Sequence, residues 1–330
     1  MNPNEAEPSA RLSRRAFHRR AAVAAGAAAA AGMTGLGRKQ APAADSSRPG
    51  DKYVDVHVHL GQPWASREPL SADMLLRWMD EHEIMQAVVL PLISPEAWYY
   101  PISTDFVLRE TKPHRGRLIP FCDVDPRTEY LGKFSDVLDT LKRYVDAGAR
   151  GLGEHKCGGP IDSPGNLEIF RAAAELRMPV LFHMDAIRNT DRPGLPGLER
   201  VLQEAPGADF IGHAPGWWAS ISGDVAAPED LGGYPKTPVT PGGAIDRLMD
   251  KYPNIYGEFS AGSGANAIRR DLEFGRDFLL RRADRLLFGT DYLSPGQNVP
   301  QFELFDELDL PQDVRAKLYR DNARRLLGLA

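Results

Sequence analysis

Eight short apolar segments, most of them followed by a helix-like pattern, recur along the chain and constrain its fold more than any other feature. Brief apolar runs bounded by Gly, Pro or polar residues are typical of buried β-strands. Strands that alternate with helices indicate a parallel sheet, and eight of them predict a single-domain α/β fold, the TIM (β/α)8 barrel. The predicted strands are Tyr53–His59, Ala87–Leu90, Leu118–Asp123, Gly151–Lys156, Pro179–His183, Phe210–His213, Asn254–Phe259 and Leu286–Asp291.

Apolar residues at helical spacing predict the connecting helices, the first of them N-capped by Ser71. The alternative, an open doubly wound sheet, would need a glycine-rich phosphate loop after its first strand, and Leu60–Trp64 lacks that pattern. A Pro/Gly-rich segment from Gly216 to Gly243 interrupts the alternation of strands and helices, and its length predicts a functional loop. The predicted helices are Ala72–Glu81, Phe134–Val145, Leu167–Leu176, Leu198–Glu204, Ala244–Tyr252, Asp271–Ala283 and Val314–Leu327.

Residues 1–43 differ in composition from the rest of the chain. They contain the pair Arg14-Arg15, the alanine-rich run Ala21–Ala31 and the small-residue stretch Ala41–Ala43. This order resembles a cleavable twin-arginine (Tat) export signal, and the alanine run is too short for a stable membrane span. We therefore expect a signal at 1–43, a short linker at 44–52, a catalytic domain at 53–330, and a periplasmic or extracellular location.

Charge and cysteine content exclude several classes of protein. Removing residues 1–43 takes away seven basic and two acidic side chains, which changes the formal net charge from −5 to −10. An acidic protein of this kind is a poor nucleic-acid binder, so we expect a small-molecule substrate as its partner. Two cysteines, Cys122 and Cys157, cannot build a disulfide framework, although a single bridge between them stays open, as does homo-oligomerisation.

Polar residues stand at the carboxyl ends of the predicted strands, where active sites lie in such barrels. Strand alternation places His57 and His59 on one face, where their ring nitrogens can both bind one divalent metal. His155 should point the other way, towards the helices, with a structural role. Buried polar side chains are costly unless they are paired or bound to metal, so the whole set predicts a metal site. The candidates are His57, His59, Glu154, Lys156, His183, His213 and Asp291.

Together these stretches resemble the amidohydrolase superfamily, in particular its amidohydrolase-related branch of metal-dependent hydrolases and aminocarboxymuconate-type decarboxylases. The resemblance runs in the family's order from about residue 53 to the C-terminus. It is specific for fold and metal chemistry and much weaker for substrate. The matching stretches are Val54–Leu60, Leu181–His183, Phe210–Gly216, Leu286–Asp291 and Asn322–Leu329.

The resemblance implies a role for each matching position. It makes His57, His59 and His183 metal ligands, and it makes Asp291 a ligand that also accepts a proton from the metal-bound water. His213 would polarise the substrate or shuttle a proton. Zinc is the first choice of metal, with manganese or iron as alternatives.

The fourth strand leaves the metal count open between one and two ions. The resemblance offers Glu154 as a bridging ligand of two metals, or Lys156 as a carboxylated bridge, whereas one-metal members need neither. Lys156 is also a candidate for binding an anionic group of the substrate. The sequence alone does not choose among these alternatives.

Further substrate contacts are expected around the strand ends. Trp217 and Trp218 follow His213 and would line the binding site of an aromatic or hydrophobic substrate, unless they pack the long loop onto the barrel rim. Arg188 would pair with a substrate carboxylate, unless it is an exposed loop arginine. Glu258 and Ser260 close the seventh strand near the pocket floor, and Trp64 is a candidate for the rim.

Three functions are compatible with the sequence. The first is a metal-dependent hydrolase of a small ester, lactone or amide. The second is a metal-dependent non-oxidative decarboxylase of an aromatic or unsaturated acid, which an arginine reaching the metal would favour; a bridging Glu154 would favour hydrolysis. The third is an exported, non-catalytic binding protein. The substrate itself cannot be predicted, because loops determine it.

Overall fold

The computed structural model describes residues 52–63, 68–128 and 134–329. The predicted signal, the linker up to residue 51, and Trp64 lie outside these residues, so those predictions are neither confirmed nor contradicted. Within the described part of the chain, no helix is long and apolar enough to cross a membrane. The eight strands are β1 (Tyr53–Val58), β2 (Ile84–Val89), β3 (Leu118–Pro120), β4 (Leu152–His155), β5 (Val180–His183), β6 (Phe210–His213), β7 (Ile255–Glu258) and β8 (Leu286–Leu287).

The strands pair in chain order and all pairs are parallel. β1 to β3 form one sheet and β4 to β8 form another. Isolated parallel bridges join the two sheets on both sides, at Cys122 with Leu152 and at Val58 with Tyr292. The eight strands therefore close into a ring, which confirms the predicted α/β fold with the closure that a TIM barrel requires.

Helices follow the strands and cover the outside of the ring. Ser71 caps the first helix as predicted, because its Oγ accepts a hydrogen bond from the Met74 amide at 3.3 Å. The helices are α1 (Ala72–Glu81), α2 (Thr104–Thr111), α3 (Phe134–Ala147), α4 (Pro164–Glu175), α5 (Pro196–Glu204), α6 (Ala214–Ala219), α7 (Ala244–Lys251), α8 (Ala261–Arg269), α9 (Leu272–Arg281), α10 (Pro300–Glu307), α11 (Gln312–Ala316) and α12 (Asn322–Leu327).

Four of these helices, α2, α6, α8 and α10, were not predicted. Each is nine residues or shorter, so the apolar periodicity has little length in which to show. The segment Gly216–Gly243, predicted as a loop, begins within α6 and contains a short 3₁₀ turn at Pro228–Gly232. The last predicted helix is divided into α11 and α12 by a π-helical turn at Lys317–Asp321.

The interior of the barrel is divided into an apolar floor and a polar mouth. Along β5, Val180 and Phe182 pack outward against the helices, whereas Leu181 faces the interior and His183 follows it on the same face. Interior residues from six strands pack against Ala323 and Leu327 of α12. The polar strand ends therefore lie above a packed apolar layer.

Candidate metal centre

The histidines of β1 present two nitrogens to one point. His57 Nε2 and His59 Nε2 lie 3.1 Å apart. His59 Nδ1 donates to the carbonyl oxygen of Leu90 at 2.9 Å, and His57 Nδ1 donates to Glu258 Oε1 at 3.0 Å. When each neutral ring carries its proton on Nδ1, the lone pairs of the two Nε2 atoms face each other. A cation between the two atoms would remove the repulsion between these lone pairs.

Two carboxylates complete this group of four donors. Glu154 Oε2 and Asp291 Oδ1 each lie near both Nε2 atoms, at four distances between 3.3 and 3.6 Å. A tetrahedral zinc site with bonds of about 2.1 Å separates its ligands by about 3.4 Å, so each carboxylate lies at the distance from the two Nε2 atoms that ligands of one divalent ion would have. Nitrogen and carboxylate donors also suit zinc, manganese or iron chemically. The residues present thus fit the metal that the sequence predicted.

The electrostatics of these donors favour ionised carboxylates. Burial opposes the charge on Glu154, but Lys156, His183 and the two β1 histidines hold its pKa well below the usual range. Burial also opposes the charge on Asp291, but His57 and His59 have a larger effect than burial, so the pKa of Asp291 is lowered. Burial opposes the charge on His57 and His59, but these same carboxylates raise the pKa of both rings. A divalent cation would take the place of those imidazole protons between the two anionic oxygens.

Glu154 belongs to a second donor group as well. Its other oxygen, Oε1, lies 2.7 Å from His183 Nδ1 and 3.7 Å from His213 Nε2. His183 Nε2 in turn lies 2.9 Å from Asp185 Oδ2. The structure therefore separates His183 from the four-donor group and brings the two groups together through Glu154. The ligand role of His183 stays a prediction.

Glu258 supports the site from the end of β7. Its Oε1 accepts hydrogen bonds from His57 Nδ1 at 3.0 Å and from His213 Nδ1 at 2.5 Å. Ser260 Oγ donates to the same carboxylate oxygen at 2.8 Å. Burial raises the pKa of Glu258, but the two histidines outweigh burial and lower it. One anion thus fixes the Nδ1 proton of two rings, so that His57 Nε2 faces His59 and His213 Nε2 faces Glu154.

Asp55, a buried residue of β1, supports the site through hydrogen bonds. Its Oδ1 accepts from the amides of His57 and Thr290, at 3.0 and 3.1 Å, and its Oδ2 accepts from the Thr290 hydroxyl at 2.6 Å. The register of β1 shifts between Asp55 and Val58. These bonds therefore tie the irregular end of β1 to the segment that carries Asp291.

Two residues at the site have backbone conformations that are unusual for side chains with a Cβ. Asp291 has φ 55° and Ala214, which follows His213, has φ 84°. Non-glycine residues in the left-handed region cost free energy and persist only where their surroundings hold them. At Asp291 the amide donates to His57 O at 2.8 Å and the carbonyl accepts from Gln297 at 2.7 Å, which holds the carboxylate in place.

A cavity of about 540 Å³ opens above the donors, and Asp291, His183 and His213 form part of its wall. Its remaining wall combines aromatic, hydroxyl, amide and charged side chains, together with small loop residues. Trp98, Lys156, Asp185, Ala214, Pro215, Tyr234, Ala261, Gly262, Ser263, Thr290, Leu293, Ser294, Gln297, Asn298 and Pro300 line it. A space of this size suits one small molecule.

The family of the chain follows from comparison with known proteins. The model of the amidohydrolase family (Amidohydro_2) matches residues 54–329, nearly the whole described barrel. The chain belongs to this family. Members of the amidohydrolase family are metal-dependent enzymes, and they include both hydrolases and decarboxylases. No curated protein matches the sequence.

Solved structures similar to this amidohydrolase include enzymes of both kinds. A 2,6-dihydroxybenzoate decarboxylase from Rhizobium is 19% identical, with a TM-score of 0.53, over 84% of this chain and 99% of that one. A probable 2-pyrone-4,6-dicarboxylic acid hydrolase from Acinetobacter baumannii is 13% identical, with a TM-score of 0.55, over 84% and 99%. A dihydroxybenzoic acid decarboxylase from Polaromonas sp. JS666, solved with manganese, is 16% identical, with a TM-score of 0.53, over 84% and 97%. At these identities the likeness shows the fold.

Three of the expected substrate contacts of this amidohydrolase lie elsewhere. Trp217 and Trp218 are buried in the core and do not line the cavity. Trp218 stacks on Phe259 and donates to Glu258 O at 2.9 Å, so the packing alternative is the one that the structure shows. The Arg188 guanidinium bonds to Asp185 Oδ2 and to the carbonyl of Glu96, both at 2.6 Å. It stands behind Asp185 and outside the cavity wall.

Two aromatic residues that the sequence analysis did not name line the cavity instead. Trp98 follows β2 and Tyr234 follows the 3₁₀ turn, both in loops without periodicity. Asp185 was also missed, although its position two residues after His183, where β5 ends, is a signal that alternation offers. His155 is confirmed as structural, because its ring nitrogens face Asp123 at 2.9 Å and Asn166 at 3.0 Å, away from the metal donors.

Proposed function

We propose that the protein is a metal-dependent hydrolase of a small ester, lactone or amide. The observation that carries the proposal is the position of Glu154, whose two oxygens each face a different donor group. A carboxylate shared in this way suits the activation of water more than the orientation of a substrate for decarboxylation. Among the described residues that line the cavity, none is an arginine, the residue that would favour decarboxylation.

The proposed chemistry assigns one task to each group. A divalent cation, which we propose to be zinc, would act as a Lewis acid and lower the pKa of a water molecule from about 16 to near 7. Asp291 accepts the proton of the attacking water, because its ionised carboxylate lies at the wall of the cavity. To donate from Nε2 towards the carbonyl or leaving group, His213 must carry a proton on both ring nitrogens, and Glu258 would stabilise that form at Nδ1.

A decarboxylase is the second candidate, because two of the similar structures bear that name. The third function, a non-catalytic binding protein, is set aside because the chain belongs to a family of enzymes. Export by the Tat route, and hence a periplasmic or extracellular location, is part of the proposal and rests on residues 1–43 alone.

A substrate panel distinguishes hydrolysis from decarboxylation. Purified, metal-loaded protein is incubated with small esters, lactones, amides and hydroxybenzoic acids, and acid production and carbon dioxide release are measured in parallel. We expect acid from at least one ester, lactone or amide, and its loss in Asp291→Asn. Carbon dioxide release without hydrolysis of any ester, lactone or amide would replace the proposed reaction with the second candidate.

A further inference from the structure

A β-bulge in β4 decides which way Glu154 points. The register of the pair β4 and β5 shifts between Leu152 and His155, where β4 advances by three residues and β5 by two. Leu152 packs outward with Val180 and Phe182, so regular alternation would turn Glu154 outward as well. The extra residue reverses the alternation and directs Glu154 into the barrel, where it meets the metal donors.

Gly153 forms the start of this bulge. Its φ is 135°, and a Cβ at this position would lie 2.3 Å from the carbonyl oxygen of Leu181 on β5. A residue without a Cβ is therefore needed for β4 to approach β5 this closely. The other end of the bulge needs a different contact, because β4 ends at His155 and strand pairing does not hold the backbone beyond it.

Asn189 supplies that contact from the loop after β5. Its Nδ2 donates to the carbonyl oxygens of His155, at 2.6 Å, and of His183, at 2.9 Å. These are the last residues of β4 and β5. The backbone amide of Asn189 also donates to Cys157 O at 2.9 Å. One side chain thus joins the ends of the two strands, one residue away from Glu154.

The side-chain amide of Asn189 is fully buried and fully hydrogen-bonded. Its Oδ1 accepts from Asn166 Nδ2 at 3.1 Å and from Cys157 Sγ at 3.3 Å. Both donors and both acceptor positions are therefore used, and the group cannot turn without leaving a buried partner unpaired. The backbone of Asn189 has φ 43°, a left-handed conformation that Asn adopts more readily than most residues with a Cβ.

We infer that Asn189 is a positioning residue of the metal centre, because it holds the bulged end of β4 so that Glu154 lies between the two donor groups. Asn189 does not line the cavity, so it acts through the backbone of His155 and His183. The inference rests on the metal centre of the proposed function and not on which bond is cleaved.

A double-mutant cycle in zinc affinity tests the inference on the full chain. Asn189→Gly removes the side-chain amide and keeps the left-handed backbone accessible. It should weaken zinc binding about tenfold or more, measured by competition with a chromogenic chelator. In a Glu154→Gln background the same change should weaken zinc binding by about twofold or less, because the carboxylate that Asn189 positions is already gone. A residue that only stabilises the fold would give equal losses in both backgrounds.

Asn254 offers a matched control at the opposite end of the barrel. It is also a buried asparagine, and its Nδ2 donates to Ala208 O at 3.0 Å where β6 and β7 begin. Asn254→Ala should lower the unfolding free energy and leave zinc affinity unchanged. If Asn189→Gly does not fold, Asn189→Asp takes its place in the cycle, since it keeps the size of the side chain and cannot donate to both carbonyl groups.

Two results overturn the inference: unchanged zinc affinity in the folded Asn189 variant, or equal losses with and without Glu154. These results are separable from a failure of the hydrolase proposal. If the cycle shows the expected coupling but no ester, lactone or amide is hydrolysed, the positioning role stands and the reaction is wrong. If a substrate is hydrolysed and the coupling is absent, the reaction stands and the role of Asn189 is wrong.

Discussion

The Nε2 atoms of His57 and His59 face each other at 3.1 Å while their Nδ1 atoms are held by Glu258 and by the carbonyl of Leu90. Neither ring can turn to relieve the contact without giving up a buried hydrogen bond. The fold thus imposes an arrangement that is unfavourable for two neutral imidazoles and favourable for two metal ligands. Stability and metal binding are coupled at this point of β1.

The first prediction concerns metal content. The wild-type protein should be purified with at least one equivalent of a divalent metal, and His57→Ala/His59→Ala should retain none, because it loses two of the four donors. Elemental analysis of the purified proteins measures both. His114→Ala, at a partly buried position outside the site, is the matched control. Full metal retention in the double variant would refute the assignment of the site.

The number of metal ions bound per chain tests whether Glu154 is a ligand of two ions. Two equivalents would support Glu154 as a ligand of both, since its oxygens face both donor groups. A single equivalent would leave His183 and His213 without a metal and support a mononuclear scheme. Glu154→Gln should weaken the binding of the second equivalent more than that of the first, which titration with a chromogenic chelator measures.

The second prediction concerns Glu258. Glu258→Gln keeps the size of the side chain but removes the charge that holds the Nδ1 protons of His57 and His213. Partners of this kind change metal affinity by about 10–100-fold when they are lost. We expect a drop of that size in zinc affinity, measured by competition with a chelator. Glu199→Gln, a surface change on α5, should leave the affinity unchanged, and equal affinity in both variants would contradict the role of Glu258.

The ligand-type residues were predictable from the sequence because strand ends are local features. His57, His59 and Asp291 stand directly after apolar runs, and closed parallel barrels bring such ends together regardless of the loops between them. The position of His183 was predicted equally well. The orientation of its ring was not, because it depends on Asp185 and on Glu154 of a neighbouring strand.

Contacts that join distant segments decide between the alternatives that the sequence left open. The sequence offered Arg188 as a substrate contact or as an exposed loop arginine, and its guanidinium instead reaches the carbonyl of Glu96, 92 residues earlier in the chain. Trp217 and Trp218 follow His213 directly, and the α6 turn directs both indoles into the core. No pattern within a short window encodes either contact, because each depends on how loops pack on the finished barrel.

The third prediction tests the position of Trp217 in the core. Gly212 leaves room for the Trp217 indole, and a Cβ at that position would overlap the ring. Gly212→Ala should therefore destabilise the protein by about 1–3 kcal/mol or more. Gly116→Ala is the control, because a Cβ there would meet nothing within 4 Å. Equal unfolding free energies for the two variants in urea would show that Trp217 does not pack against β6.

The fourth prediction concerns the cysteines. Cys122 and Cys157 are both free and buried, so the open question of a bridge between them is answered by two thiols. Burial raises the pKa of the Cys122 thiol, which further suppresses its reactivity. An aromatic disulfide reagent should find two reactive thiols after denaturation without reductant and almost none in the native protein. Fewer than two thiols after denaturation would indicate a bridge.

The last prediction concerns acid stability away from the metal site. Glu199 on α5 accepts hydrogen bonds from Arg247 and Lys251 of α7, both at 2.7 Å, and the pKa of its carboxyl falls to about 2 because of Lys251 first. A carboxyl whose pKa is lower in the folded state than in the unfolded state stabilises the protein above pH 4.5, its unfolded value. This stabilisation is lost as the pH falls towards 2. Since these groups are partly exposed, the gain is about 1 kcal/mol or less. Glu199→Gln should therefore lower the unfolding free energy by that amount at pH 7, and the difference from wild type should shrink below pH 4.5. A difference that stays constant from pH 7 to pH 3 would show that the loss comes from packing and not from charge.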